Sequence, residues 1–461
     1  MPGLFTGLEI GKRALMAQQL AMNTASHNIA NSTTPGYSRQ RVNLIASMPA
    51  DTPQGSVGTG VLADSVRHIR DLFLTEQYRG ANSNQTQWET TYKTLSQVET
   101  FFNEPNDTGL AQSISDFWNA WENLATNPTS RSTVIEKTNV LVNAIKQHAT
   151  QLNDLQASLD SEITNRVQQI NELGSEIAAI NKQIVGAELG GDKANDLRDK
   201  RDLLVDNLSV LAQVRTIERP NGSLTVLLGS MALVDGSDSL GITTKIEQSG
   251  NTTVTRAVWK DTNFDIEFSG GELYALQQLR DKVVPEYQSG LDTLAKTIVE
   301  QVNAIHRGGV GAEGSTGVNF FSPFNTTAMT ISLNTEIEND PNLIAAALIS
   351  GAPGDTRNAQ AISELRSSTV LSANTATISE YYAGLVGTLG IKTQEASNLK
   401  DNYNLLATQM DNAKQSVQGV SIDEEMTDMM KYQKAYEASA RIVTYIDSAL
   451  ETLIGGMGVT R

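Results

Sequence analysis

Only four side chains in this 461-residue chain, His27, His68, His148 and His306, have an ordinary pKa suited to moving protons at neutral pH. They lie far apart in sequence, and none has a second ligand-type residue at metal-site spacing. Cysteine is absent, which removes thiolate zinc centres, cysteine nucleophiles and disulfide scaffolds together. Carboxylates are plentiful, 52 Asp and Glu against 35 Lys and Arg, but no pair stands out as an acid and base flanking a scissile bond. No P-loop, GxSxG elbow, HExxH helix or EF-hand loop is present. The glycines between Gly308 and Gly317 lack the Lys-Ser/Thr that completes a phosphate cradle. The residues therefore predict no catalytic, cofactor or metal site, and no enzyme.

The bulk properties narrow the partners. A net charge of −17 argues against nucleic acid, whose phosphates attract clustered Lys and Arg. No run reaches the roughly 18–20 apolar residues that span a bilayer, so no membrane insertion is expected. The opening MPGLFTGLEIGKRALMAQQLAMNT has no apolar run of the kind a cleaved signal peptide needs. Export, if it occurs, is expected by another route.

The most regular elements stand at the two ends. Leu8, Leu15, Met22 and Ile29 recur every seven residues, flanked by Gly7, Gly11, Ala14, Ala21 and Ala25. Bulky positions beside small ones suit close helix–helix packing. Thr6 and Glu9 have the spacing of a capping box, and Pro35-Gly36 predicts a type II turn that stops the helix. At the other end, Ile422, Met429, Tyr436, Val443 and Leu450 make one heptad row, and Tyr432, Ser439, Ile446 and Leu453 the second. Ser421 and Glu424 read as its capping box, and Gly455-Gly456 as its stop. These rows fit two situations. The terminal helices pair with each other or fold onto the body of an ordinary monomer, or other copies complete them.

Between the ends, 42–66 reads as an extended connector or hairpin. Helices are expected from Ile69 to about Phe102, around Gly109–Ala125, and over about 132–185. The last carries an a/d seam, Ile163, Ile170, Ile177 and Ile184 in one row and Leu152, Leu159, Leu173 and Ile180 in the other, interrupted by Arg166. A bend at Gly190-Gly191 sends a helix back over Asn195–Leu211. Short alternating runs then predict strands at Gln213–Glu218, Leu224–Leu228, Ala232–Val234, Ile242–Glu247, Thr252–Trp259 and Phe264–Phe268, separated by turns that include Ser249-Gly250-Asn251. Helix resumes over Gly271–Ile305 with Pro285 a kink or start, and again over about 356–418.

The expected fold is mainly α with a β insertion, elongated and multidomain: a terminal α-helical coiled coil, a helical-bundle middle and a small β-rich outer domain. The divisions are 1–41 and 420–461 for the coiled coil, 42–213 and 270–419 for the middle, and 214–269 for the β domain. The irregular stretch 310–355 is assignable to the β domain.

Two segments carry a family resemblance. The stretch Ala25–Gln40, with Asn28, Ala30, Asn31, Thr34, Pro35, Gly36 and Tyr37, resembles the signature shared by flagellar rod, hook and hook-associated axial proteins. Its Thr-Pro-Gly-Tyr-Ser-Arg-Gln form is most similar to the hook-associated members. Ser421–Leu453 is similar to the matching C-terminal segment. Leu197–Leu204, Gly270–Leu273 with Arg280-Asp281, and Val302-Asn303 with His306 resemble interior blocks.

The resemblance implies a structural adaptor at the hook–filament junction, exported by the flagellar type III apparatus without a cleaved signal peptide. The implied partners are hook protein, the second hook-associated junction protein, an export chaperone on the C-terminal region, and other copies in an axial ring. The heptad residues at both ends would then be the assembly surface. One modest β insertion implies that a second outer domain is missing or reduced. The alternatives are another axial protein, such as hook protein or the second junction protein, or an axial scaffold bearing an adhesin-like or enzymatic β insertion.

Overall fold

The computed structural model describes residues 3–52, 55–102, 109–249, 252–352 and 354–457. The first helix, α1 (Gly3–Ala30), is already running before Thr6. Thr6 therefore does not cap it, and Glu9 pairs with Arg13 at 3.2 Å instead. The chain reverses through Thr34–Tyr37, where Gly36 takes φ +78°. The expected connector is a ribbon of β1 (Gln40–Ala46), β2 (Ala50–Thr52), β3 (Gly55–Val57) and β4 (Val61–His68), with β1 antiparallel to β4 and β2 to β3. It lies along α1: Arg13 Nη1 donates to Ser47 Oγ at 2.7 Å.

Next come α2 (Leu72–Phe102), α3 (Leu110–Thr126) and the 57-residue α4 (Arg131–Ala187). The predicted seam on α4 is its buried stripe: Leu152, Leu159, Ile163, Ile170, Ile177, Ile180 and Ile184 are buried, and Leu173 is half-buried against the same core. Arg166 turns out of that stripe to pair with Glu272 at 2.9 Å. After a left-handed Gly191, α5 (Asn195–Leu211) returns along α4.

The β insertion has β5 (Val214–Glu218), β6 (Leu224–Leu228), β7 (Met231–Asp235), β8 (Asp238–Ser239), β9 (Ile242–Ser249) and β10 (Thr252–Trp259). The first four make one antiparallel sheet in chain order, and β9 pairs with β10. The turn at Gly250-Asn251 lies outside the described residues. The expected strand at Phe264–Phe268 does not form: Asn263 takes φ +55°, and only an isolated bridge joins Asp265 to Val258.

A polar ladder on α4 fastens these strands. Asp160 Oδ1 accepts from Thr255 N at 3.0 Å. Asn171 donates to Ile242 O at 2.7 Å and accepts from Ile242 N at 2.8 Å. Asn181 donates to Leu224 O and Gly236 O at 2.8 and 2.7 Å and accepts from Leu224 N at 3.0 Å. Each side chain supplies what a missing strand neighbour would, so backbone groups buried against the helix stay satisfied.

Helix α6 (Gly271–Gln278) continues through one wide π turn, Leu279–Val283, into α7 (Val284–His306). The turn precedes Pro285, whose ring nitrogen has no hydrogen to donate. Beyond it lie α8 (Thr335–Asn339), α9 (Arg357–Ser363), α10 (Ile378–Gln418) and α11 (Ile422–Met457). A true capping box starts α10: Thr377 and Glu380 bond each other's backbone N–H. At α11, Glu424 bonds Arg39 rather than Ser421, and Gly455-Gly456 does not stop the helix, which runs on through Met457.

Within the stretch 310–355, one aromatic pair packs on the helices α3 and α7. Phe320 and Phe321 are fully buried, and Phe320 packs on Trp121 and His306 with ring centroids 4.9 and 5.4 Å apart. One continuous hydrophobic core runs through the body, from Leu95 on α2 to Ala396 on α10, and takes in the sheet. Among the described residues, no buried side chain of α1, the ribbon or α11 is part of it.

Candidate functional site

The terminal helices pair with each other inside one chain, antiparallel, through their smallest residues. A Cβ built on Gly11 would lie 2.7 Å from Val443 Cγ2, and one on Gly7 3.0 Å from Ile446 Cδ1. Ala17, Ala21 and Ala25 are buried. The heptad rows named from the sequence flank that seam. Leu8, Leu15, Met22 and Ile29 are half-buried, as are Met429, Tyr432, Tyr436, Val443 and Leu450. Ile446 is buried, while Ile422 and Leu453 are 48 and 41 % exposed. The face turned outward carries further apolar residues that the heptad reading missed: Phe5, Met16, Leu20, Met430, Ile442 and Tyr445 are all exposed. Heptad counting finds the face toward the partner helix. It is blind to a second apolar stripe on the same helix.

The signature segment locks the base of the pair. Asn28, 1 % exposed, is bonded at both ends of its side chain. Its Nδ2 donates to Gln40 O at 2.8 Å and Glu425 Oε2 at 2.9 Å. Its Oδ1 accepts from Tyr37 Oη at 2.7 Å and Gln40 N at 2.9 Å. One amide thus ties α1, the turn, β1 and α11. Arg39 adds Nε–Glu425 Oε1 at 2.5 Å and Nη1–Glu424 Oε2 at 2.8 Å. Burial, then the nearby Asp196, Asp199 and Glu425, push the Tyr37 phenol well above its ordinary range, so it stays a donor. Asn31 Nδ2 donates to His27 O at 3.0 Å, and Thr34 Oγ1 to Asn31 Oδ1 at 3.2 Å. A Cβ on Gly36 would sit 2.9 Å from Leu203 Cβ, so this turn needs glycine for both its φ and its closeness to α5. Pro35 and Ala30 are exposed.

The first turns of α5 receive this base. Ser38 N donates to Asp199 Oδ2 at 2.9 Å, and Gln40 Nε2 to Asp196 Oδ1 at 2.7 Å. Asn195 Nδ2 donates to Val66 O at 3.0 Å, and outside α5, at the end of α10, Gln418 O accepts from Arg39 N at 2.8 Å. Below that layer lie buried ion pairs. Arg70 meets Asp202, Arg79 meets Asp206 at 2.7 Å, and Arg198 meets Glu188 at 2.6 Å. Arg198 holds the Glu188 carboxyl down at about 2. The sequence block Leu197–Leu204 is therefore the socket of the joint.

The four histidines are all committed to structure. His27 and His68 face Asp196 and Asp199. His148 stacks on Phe102 at 5.3 Å. His306 is fully buried, between Val318 O and Ala345 N. Among the described residues no three His, Asp or Glu side chains are grouped to hold a metal ion.

Comparisons with known proteins cover the same three regions. Residues 95–321 match the family described as the flagellar hook-associated protein FlgK helical domain. Residues 8–37 match the flagella basal body rod protein family, and 415–455 the flagellar basal body rod FlgEFG protein C-terminal family. Flagellar hook-associated protein 1 of Bacillus subtilis is 33 % identical over 100 % of this chain and 99 % of its own length. Its counterpart in Salmonella typhimurium is 25 % identical over 95 % of this chain and 98 % of its own. The flagellar hook junction protein FlgK from Burkholderia pseudomallei shares the fold, with a TM-score of 0.67 at 18 % identity over 74 % of this chain and 100 % of that one.

Proposed function

Since the chain belongs to the flagellar hook-associated protein 1 (FlgK) family and is a structural part of the flagellar axis, we propose that it is the adaptor joining hook to filament. Copies assemble into an axial ring through their terminal helices. Hook protein lies on one side and the second hook-associated junction protein on the other. The subunit reaches that place through the flagellar type III export apparatus, with a chaperone holding its C-terminal region until then.

The observation that carries the reading is the terminal pair. Its inner face is closed within one chain by Gly7, Gly11 and three alanines, and its outer face remains apolar. Exposed apolar surface on this scale marks an interaction site. Leu8, Leu15, Met22, Ile29, Ile422, Met429, Tyr432, Tyr436, Val443, Ile446, Leu450 and Leu453 form or border that surface. The residues of the signature, from Asn28 to Tyr37, set its angle to the body. We divide the chain accordingly into the terminal unit, a helical middle domain that includes 310–355, and the β insertion on α4.

Deletion of the gene followed by electron microscopy tests the proposal. Bare hooks, with filament protein shed into the medium, are the expected result. Intact filaments on the deletion strain would eliminate the adaptor role.

A further inference from the structure

Methionine is unevenly placed in this chain. Of its eleven methionines, only Met231, Met329 and Met410 lie between residues 69 and 419. The other eight belong to the two ends, which are under a quarter of the length. The core of the body is built from other aliphatic and aromatic side chains, with no buried methionine among the described residues. The terminal unit shows the opposite. Met16 on α1 is 64 % exposed, and Met426 and Met430, one turn apart on α11, are 48 and 58 % exposed. Exposed Leu20 stands one turn after Met16, and exposed Ile422 one turn before Met426. Met22 and Met429 are half-buried beside the seam, where Met429 Sδ accepts from Ser26 Oγ at 3.8 Å.

A thioether covers apolar surface much as Leu does, and it bends to fit an irregular partner. It differs from Leu in that its sulfur reacts with two-electron oxidants. We propose that the outer face of the terminal pair is an oxidation site, at Met16, Met426 and Met430, and that sulfoxides there keep the subunit from joining the axis. The oxidant is of the peroxide class. The sulfur lone pair attacks one peroxide oxygen and the O–O bond breaks. That oxygen stays on sulfur, and the departing hydroxide takes its proton and becomes water. The thioether loses two electrons, and the peroxide gains them. Each sulfoxide sets a polar S–O group on a face whose other exposed residues include Leu20, Ile422, Ile442 and Tyr445. Covering that face then means desolvating three polar groups in every copy. The free subunit is the vulnerable form, since a covered sulfur is out of the oxidant's reach. The effect on assembly rests on the adaptor reading; the chemistry at the three sulfurs does not.

The full chain is treated with dilute hydrogen peroxide, mapped by peptide mass spectrometry, and pelleted with isolated bare hooks. Sulfoxide is expected first at Met16, Met426 and Met430, together with exposed Met48 on the ribbon and Met329 on the body, and later at half-buried Met231 and Met410. Each chain's binding is scored against its own untreated sample. Loss of hook binding is expected in the treated parent, with recovery after methionine sulfoxide reductases of both epimer specificities. Met48→Leu with Met329→Leu should be as sensitive as the parent. Met16→Leu with Met426→Leu and Met430→Leu should bind after peroxide as it does before. Oxidation at Met16, Met426 and Met430 that is no faster than at Met231 and Met410 overturns the proposal. So does a treated parent that binds like the untreated one, or a sensitivity that survives in the triple Leu variant. An untreated parent that does not bind hooks overturns the adaptor reading and the assembly effect with it, whereas the peptide map decides the oxidation sites by itself.

Discussion

Asn28 shows how much one side chain can decide. Its amide satisfies Gln40 on both backbone groups, the Tyr37 hydroxyl and the Glu425 carboxylate. Asn28→Ala leaves several of these buried groups without a partner, each costing about 1–3 kcal/mol. We expect α1 and α11 to separate at their base, seen as lost hydrogen-exchange protection at residues 422–432, while protection in the core of the body is unchanged. Asn28→Asp should be worse, because it sets a second carboxylate against Glu425. If Asn28→Asp were as well protected as the parent, the hydrogen-bond assignment would be wrong.

His306 sits on α7 inside the core of the body and makes a prediction of its own. Its Nε2 must accept from Ala345 N at 2.9 Å, so Nδ1 carries the proton and donates to Val318 O at 2.8 Å. Burial keeps the ring neutral down to about 4, against about 6.5 for a free imidazole. Between those values the unfolded chain takes up a proton that the folded chain does not. Stability therefore falls as pH drops through this window, by about 3 kcal/mol in all. His306→Gln should start less stable at pH 7, having lost its paired donor and acceptor. It should also show a flatter acid limb in urea unfolding across pH 7 to 4. An unchanged limb would exclude His306 as its source.

At the scale of elements, the long helix α4 is both spine and clamp. Its apolar seam is legible in the sequence, because Leu and Ile at heptad spacing line one face of a helix, and an apolar face must be covered. Its polar ladder is not. Asp160, Asn171 and Asn181 read as ordinary solvent-facing residues of a helix, yet Asn181 is fully buried against β6. Only the strands they serve give them meaning, and those strands lie more than forty residues later in the chain. The same limit accounts for the errors at element ends. Thr6 and Ser421 have cap-like spacing, but spacing alone does not show that Glu9 has Arg13 beside it or that Glu424 has Arg39. Thr377 and Glu380 have that spacing too and do form the box. The ladder is testable through Asn181→Ala, which leaves Leu224 N, Leu224 O and Gly236 O unpaired against α4. The expected loss is about 2–4 kcal/mol. Hydrogen exchange should rise first in β6 and in the turn after β7. If the sheet stayed protected, other contacts would have to hold it.

The whole molecule is two mechanical parts with different debts to their surroundings. The body keeps a continuous apolar core between Leu95 and Ala396, with Trp118, Trp121, Tyr287, Phe320 and Phe321 fully buried. The terminal unit has only a thin seam of glycine and alanine, backed by the Asn28 and Arg39 bonds, and an outer face of exposed apolar residues. Hydrophobic burial scales with apolar area removed from water, about 25 cal/mol per Å². Most of that burial belongs to the body. Removing residues 1–35, or 420–461, therefore takes nothing from the core, although the first takes His27 from Asp196 at the rim. Exposed polar groups there return to water at little cost. We expect each truncated chain to remain soluble, with a single cooperative thermal transition within a few degrees of the parent's main one, and to leave hooks bare in cells. Val443→Asp should reproduce the second effect without the truncation, because it places a carboxylate at Gly11. A truncated chain that unfolds many degrees earlier would show that the terminal unit is part of the body's fold. A Val443→Asp strain with normal filament number would show that the helix seam is not what assembles.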